Sequence, residues 1–345
     1  MSVFDKIFCA GAPPPLCLAP MSGYTDSAFR ELCKEQGADV LVSEFVQSEP
    51  LIRARERAWR DVAFTAAQRP AGIQIFGAVP ESMAAAAQLL EARLHPDFID
   101  LNFGCPARKV VEQNAGSGLL RDLPLMEKIA RAVVRAVPAT PVSAKIRLGW
   151  DSQNLVACEA ARRLEASGVR AIAVHGRTRA QNYAGAANWE KIAEVVRAVS
   201  IPVVGNGDIF DAQTALRRLH ESGVAGLMIG RGALGRPQIF AQIKAALAGT
   251  PIPALPSPDE IFATIRRYAE KLVALRRAGT DFPESADFES ENIRALLPKF
   301  FPFTRGVPAG KRIREALSRC ATLGELREIC GNAAARSELS FPAKS

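Results

Sequence analysis

The chain has only three histidines, and its seven cysteines are an odd number with no CxxC pair and no metal-ligand spacing. A zinc site or a disulfide framework is therefore not expected. No apolar run approaches the roughly 18 residues that a membrane helix needs. The opening stretch, MSVFDKIFCAGAPPPLC, has no charged segment leading into a long apolar one, so no signal peptide is expected. Internal repeats and low-complexity tracts are also missing. These absences lead to the expectation of a reduced cytoplasmic protein, with neither a membrane nor a metal as partner.

An excess of acid is lacking too. The formal charge is +8. Between Asn292 and Arg336, nine cations (Arg294, Lys299, Arg305, Lys311, Arg312, Arg314, Arg319, Arg327 and Arg336) face only Glu315, Glu325 and Glu328. A locally basic C-terminal end points to a polyanionic partner.

What is present is a regular alternation. Short apolar runs begin at Leu16, Val40, Ala71, Asp97, Pro141, Ala171, Ile201 and Gly226. Helical patterns such as DSAFRELCKEQG and NWEKIAEVVRAV lie between them. The runs are continuous rather than alternating, as strands buried on both faces should be. Eight such units in the first 248 residues predict an α/β protein with a (β/α)8 (TIM) barrel, with a doubly wound open sheet as the competing fold. Residues 249–260 are proline-rich and read as a linker. Residues 261–345, irregular around Pro283, show no strand and read as a smaller all-helical domain.

In such a barrel the C-terminal strand ends face the active site. Those ends carry Pro20-Met21-Ser22, Glu44, Gln74, Asn102 with Cys105, Lys145 with Arg147, His175 with Arg177, Asn206-Gly207-Asp208, and Gly230-Arg231. Singly, each could serve a local bond or a helix cap. Together they predict a large polar site for an anionic ligand. GRGALG, from Gly230 to Gly235, spells a dinucleotide fingerprint, but it lies in the last unit with no following strand to supply a ribose-binding acid. Backbone N–H groups of GNGD and GRGALG, with Arg231, suit a phosphate-bearing cofactor better. Cys105 raises a separate question. A packing cysteine belongs inside an apolar run, yet this one follows DFIDLNFG and opens a loop.

Read together, APMSGYTD, DLNFGCPARKVV, KIRLGW, VHGRTRAQNYAGAANW, GNGDI and MIGRGALGRPQIF resemble the tRNA-dihydrouridine synthase family. The match runs over most of the chain and is most specific at NFGCP and HGRT. This resemblance implies an FMN-dependent barrel with a helical tRNA-binding domain, reducing uridines in tRNA with NADPH as reductant. It implies that Pro20, Met21, Ser22, Gln74, Lys145, His175, Asn206, Gly207, Asp208, Gly230 and Arg231 hold the flavin. Cys105 would be the proton donor, and Asn102 would bond the base. Arg108, Lys109, Arg177, Arg179, Lys311 and Arg312 would meet RNA phosphates, with a monomer expected. The rival readings are another FMN barrel acting on a free pyrimidine, and a non-catalytic tRNA-binding protein.

Overall fold

The computed structural model describes residues 2–278, 287–308 and 310–338, with side chains of the last helix described through Asn332. The stretch around Pro283 and the Arg336 side chain therefore lie outside the described residues. Among the described residues, nine parallel strands form one closed sheet: β1 Leu16–Leu18, β2 Val40–Val42, β3 Val46–Gln47, β4 Ala71–Phe76, β5 Phe98–Phe103, β6 Val142–Arg147, β7 Ala171–His175, β8 Val203–Asn206 and β9 Gly226–Ile229. β1 pairs with both β2 and β9, and β2 pairs on to β4, which closes the barrel.

The run VLVSEF was expected as one strand, and the fold splits that position between β2 and β3, which both pair with β4. The cause is Ser43. Its hydroxyl accepts the Gln74 backbone N–H at 3.1 Å, taking a place in the ladder that a carbonyl would otherwise hold. The barrel thus keeps eight strand positions, the second of them broken.

Why the strands read as continuous apolar runs is visible in where alternate residues go. Ile73, Ile75, Ile99, Leu101, Ala144, Ile146, Ile172 and Val174 join the large core shared with the outer helices. Their alternates Cys17, Val40, Val42, Phe98, Ala171, Ala173, Val204 and Met228 fill the barrel interior. Both faces are buried, so both sets are apolar. A short helix that the sequence reading left out, Val3–Ile7, is capped by Ser2 and turns Phe4 into that interior. The Phe4 ring centroid lies 5.1 Å from that of Phe98, stopping the lower end of the barrel.

Beyond the last barrel helix, Ile239–Leu247, the chain is helical from Pro258 to Ala278, Phe288 to Phe300, Gly310 to Leu317 and Leu323 to Glu338. The first of these starts inside the span read as linker. A capping box sets that start, with Ser257 N–H donating to Glu260 Oε2 at 2.7 Å and Glu260 N–H to Ser257 Oγ at 3.3 Å.

The helical region is fastened to the barrel helix Ser27–Glu35. Asp26 caps that helix through Phe29 N–H at 3.0 Å, and its other oxygen accepts the Tyr268 hydroxyl at 2.8 Å and the Lys299 ammonium. Lys271 bridges Glu31 and Glu35 at 2.9 and 3.0 Å. Around these ties Phe29, Tyr268, Phe300 and Phe303 are buried together, with Phe29 and Tyr268 centroids 5.7 Å apart.

Candidate active site

A cavity of 890 Å³ opens at the C-terminal ends of the strands. Strand register explains its floor. Asn102 on β5 pairs with Lys145 on β6, which pairs with Ala173 on β7, so the small alanine leaves room beside the lysine. The Lys145 ammonium makes a single long hydrogen bond, 3.3 Å to Asn206 Oδ1, among the described residues. Asn206 is held in that orientation because its Nδ2 donates to the Met228 carbonyl at 2.7 Å. Burial, and next the Arg147 guanidinium, lower the Lys145 pKa to about 8.

His175 borders the same floor. Burial, then the cations Lys145, Arg147, Arg177 and Arg231, depress its pKa far below the ordinary imidazole range. The ring is therefore neutral across physiological pH.

Cys105 sits half-buried on the loop that leaves β5. Asn102 Oδ1 accepts both the Gly104 and Cys105 backbone N–H groups, at 3.1 and 2.9 Å. On the far side the Cys105 carbonyl accepts from Ser117 N–H at 3.0 Å and Ser117 Oγ at 2.8 Å. Gly116, at φ +56°, lets the chain pass close beneath, since a Cβ there would lie 2.9 Å from the Cys105 carbonyl oxygen. Burial pushes the thiol pKa up, against the smaller pull of the Ala107 N–H and of Arg147 and Lys145. Arg147 braces the loop. Its Nε donates to the Gly104 carbonyl at 2.9 Å, and Nη1 to the Thr178 and Asn182 carbonyls at 2.9 and 2.8 Å.

The residues expected from sequence divide into two groups. Pro20, Met21, Ser22, Gln74, Asn102, Cys105, Arg108, Lys145, His175, Asn206, Gly207, Asp208, Gly230 and Arg231 all line the cavity. Lys109, Arg177, Arg179, Lys311 and Arg312 are not in its wall. Lys109, Lys311 and Arg312 are exposed on the surface. Arg108 is exposed at the rim and pairs with Glu112 at 2.6 Å. Arg179 lies over the Trp150 ring, 4.5 Å from its centroid, and Arg121 lies over the same ring at 4.0 Å.

Arg177 requires a correction. A guanidinium at a strand end reads as a phosphate contact, but this side chain is 2% exposed and its nitrogens all have partners within the protein. It grips both Asp208 oxygens at 2.9 and 2.7 Å and donates to the Ala184 carbonyl at 3.2 Å. Asp208 differs from expectation in the same way: its carboxylate is occupied by Arg177, by Arg231 at 3.0 Å and by Ala187 N–H at 2.8 Å. Burial works to raise the Asp208 pKa, but these partners outweigh it and hold the carboxyl below its usual range.

Several wall residues escaped the sequence reading. Tyr183 is exposed in the mouth, with Arg231 4.9 Å and Arg147 5.7 Å from its ring centroid. It lay within VHGRTRAQNYAGAANW, so the signal was there. Pro302 and Arg305 come from the helical region and complete the wall, and nothing local in FFPFTRG signals that placement.

The dihydrouridine synthase (Dus) family profile matches residues 17–332. A probable tRNA-dihydrouridine synthase of Rhodobacter capsulatus is 45% identical over 76% of this chain and 80% of its own length. One from Mycobacterium tuberculosis is 38% identical over 90% of this chain and 80% of its own. Among solved structures, histamine dehydrogenase from Rhizobium sp. 4-9 superposes with a TM-score of 0.52 at 12% identity, covering 77% of this chain and 51% of that one, a likeness of fold. With the barrel, the motifs and the relatives in agreement, the chain belongs to the dihydrouridine synthase family, FMN-dependent oxidoreductases.

Proposed function

We propose that this protein reduces the C5–C6 bond of uridines in tRNA to 5,6-dihydrouridine, with NADPH as reductant, acting as a cytoplasmic monomer. The observation that carries the reading is the pairing in one cavity of a half-buried thiol raised in pKa with an ammonium lowered in pKa. The family and the similarly named relatives support tRNA as substrate. In the described residues no helix is long and apolar enough to cross a membrane, and no group of three or more metal-ligating side chains occurs.

The residues present fit a flavin. Lys145 keeps two donors for a ligand at the cavity floor, Met21 and Met228 offer apolar surface, and the strand ends at Gly207 and Gly230 approach the cavity with backbone alone. FMN, when bound, supplies the hydride chemistry. Gln74, Lys145, His175 and Asn206 would hold its ring, and Gly207, Gly230 and Arg231 its phosphate. Asp208, already spent on two arginines, orients Arg231 for that task instead of meeting the ligand itself.

Reduction of the double bond adds hydride at one carbon and a proton at the other. The thiol of Cys105 is the proton source: it is protonated at neutral pH and carried on a loop at the mouth. Lys145 and Arg147 are the charges that stabilise the thiolate left behind. A uridine must leave its stack to reach this depth. Arg108, Lys109, Lys311 and Arg312, exposed around and beyond the rim, would hold the flanking phosphates. Asn102 gives its oxygen to the Cys105 loop and one Nδ2 hydrogen to Gln74, which leaves a second Nδ2 hydrogen to meet the base at the cavity wall.

Unmodified tRNA incubated with the protein, FMN and NADPH should gain two hydrogens on uridine, read by mass spectrometry. Reduction of free uracil with tRNA left unchanged would favour the free-pyrimidine alternative. Bound flavin with neither product would reject both.

Lys145 also gives a pH prediction. Its pKa in the free protein is about 8, below that of an ordinary lysine, so the charge is complete in acid and lost as pH rises through that value. FMN affinity, followed by quenching of flavin fluorescence, should be flat from about pH 7, where the phosphate is already doubly ionised, to about pH 8 and fall above it. Lys145→Met should bind more weakly and lose that dependence.

A further inference from the structure

Below the Cys105 loop, buried polar side chains of β4, β5 and β6 form one continuous hydrogen-bonded line. Ser143 Oγ donates to Asp100 Oδ1 at 2.5 Å, and Gln74 Nε2 donates to Asp100 Oδ2 at 2.6 Å. Asn102 Nδ2 donates to Gln74 Oε1 at 2.7 Å. Asn102 Oδ1 then accepts the two loop N–H groups. Sheet register builds the line, since Gln74 pairs with Asp100 and Asp100 with Ser143. All four side chains are buried, which strengthens each bond in the line.

A side-chain amide can turn over without changing its shape, exchanging its donor and acceptor ends. Only its partners decide which way it lies. At the open end of this line, backbone N–H groups demand an acceptor. Asn102 must then present its oxygen upward and its NH2 downward, and Gln74 must do the same. The line is consistent only if its closed end accepts as well. Asp100 meets that demand with Oδ2. It makes no ion pair among the described residues, and burial raises its pKa, so its place in an interior of Cys17, Val40, Val42 and Ala171 is costly. An apolar residue would serve packing better.

We propose that Asp100 is a positioning residue: by setting the direction of the Gln74 and Asn102 amides, it presents Asn102 Oδ1 to the N–H groups of Gly104 and Cys105 and so fixes the loop that carries the proton donor. The role as stated rests on Cys105 being that donor, but the position of the loop can be measured without turnover.

The experiment follows iodoacetamide alkylation of Cys105 at pH 8 in the full-length protein, read on its own peptide by mass spectrometry so that exposed Cys9 does not interfere. Asp100→Leu frees the Gln74 amide, and Cys105 alkylation should rise on the order of tenfold. Asp100→Asn should stay close to wild type, because its amide can donate to Ser143 Oγ while its oxygen still accepts from Gln74. The decisive comparison reverses the line. Asn102→Asp alone sets an oxygen against Gln74 Oε1, forces that amide over toward Asp100 and loosens the loop. Adding Asp100→Asn supplies the donor that the turned Gln74 needs, and protection of Cys105 should return. This pair also serves if Asp100→Leu does not fold. Equal loosening in Asn102→Asp and the double variant, or equal loosening in Asp100→Asn and Asp100→Leu, overturns the proposal. Unchanged accessibility throughout overturns it as well. Absence of uridine reduction with the alkylation pattern as expected would instead count against the reaction proposed above.

Discussion

Cys105→Ala protein is expected to bind flavin normally and to oxidise NADPH, yet to reduce tRNA uridine about 10²–10⁴-fold more slowly, the range over which a positioned acid contributes. The substitution removes the S–H and little else. The loop backbone remains tied by Asn102 below and Ser117 behind, bonds that do not involve the sulfur. Single-turnover reduction of tRNA, compared with flavin reduction by NADPH in the same preparation, separates the proton step from the rest. Equal slowing of both steps would mean that the cysteine supports the flavin and is no acid. The pH profile supplies the sign. Burial raises the thiol pKa, so the acid form survives to higher pH than for a free cysteine, and tRNA reduction should fall only on the alkaline side. Lys145 loses its charge around pH 8, so an earlier decline there belongs to flavin retention and should vanish at saturating FMN.

Arg177→Met should destabilise the protein by about 2 kcal/mol, the usual result of removing a buried donor from polar groups that stay behind. The loss would leave Asp208 with Arg231 and one backbone N–H, and would strip the Ala184 carbonyl of its guanidinium donor. Chemical denaturation of the flavin-free protein measures this directly. RNA binding provides the contrast. If Arg177 held a phosphate, its loss would lower the slope of log affinity against log salt by about 1. The buried position predicts no change in slope, whereas Lys311→Ala or Arg312→Ala should lower it and leave unfolding unaffected.

This contrast marks what was legible in the sequence. The barrel was legible because its strands are buried on both faces, and continuous runs such as AGIQIF carry that signal by themselves. The cavity lining was legible because strand C-terminal ends converge in a closed barrel wherever they stand in the chain. Arg177 was misread because its burial depends on Asp208, 31 positions later, turning back at φ +52° to meet it. Strand periodicity carries no record of such a pairing. The break at Ser43 was hidden for a similar reason, since it arises from a hydroxyl bonding across to Gln74 N–H on the neighbouring strand. Pro302 and Arg305 lie nearly 200 residues beyond Cys105, and long-range packing such as that of Phe303 against Phe29 brings them to the cavity.

That last contact bears on how such proteins can be recombined. Gly235, in the loop after β9, presses so closely on the helical region that a Cβ there would lie 2.3 Å from the Pro302 carbonyl carbon. Asp26 holds Tyr268 and Lys299 from the other side. A helical module grafted from a relative would therefore bring its own piece of the catalytic wall and its own match, or mismatch, to position 26. Exchanging RNA preference between family members by swapping modules calls for moving Asp26 and Gly235 along with the helices. The seam for such a chimaera runs through the barrel rather than through the proline-rich stretch that looks like the natural place to cut.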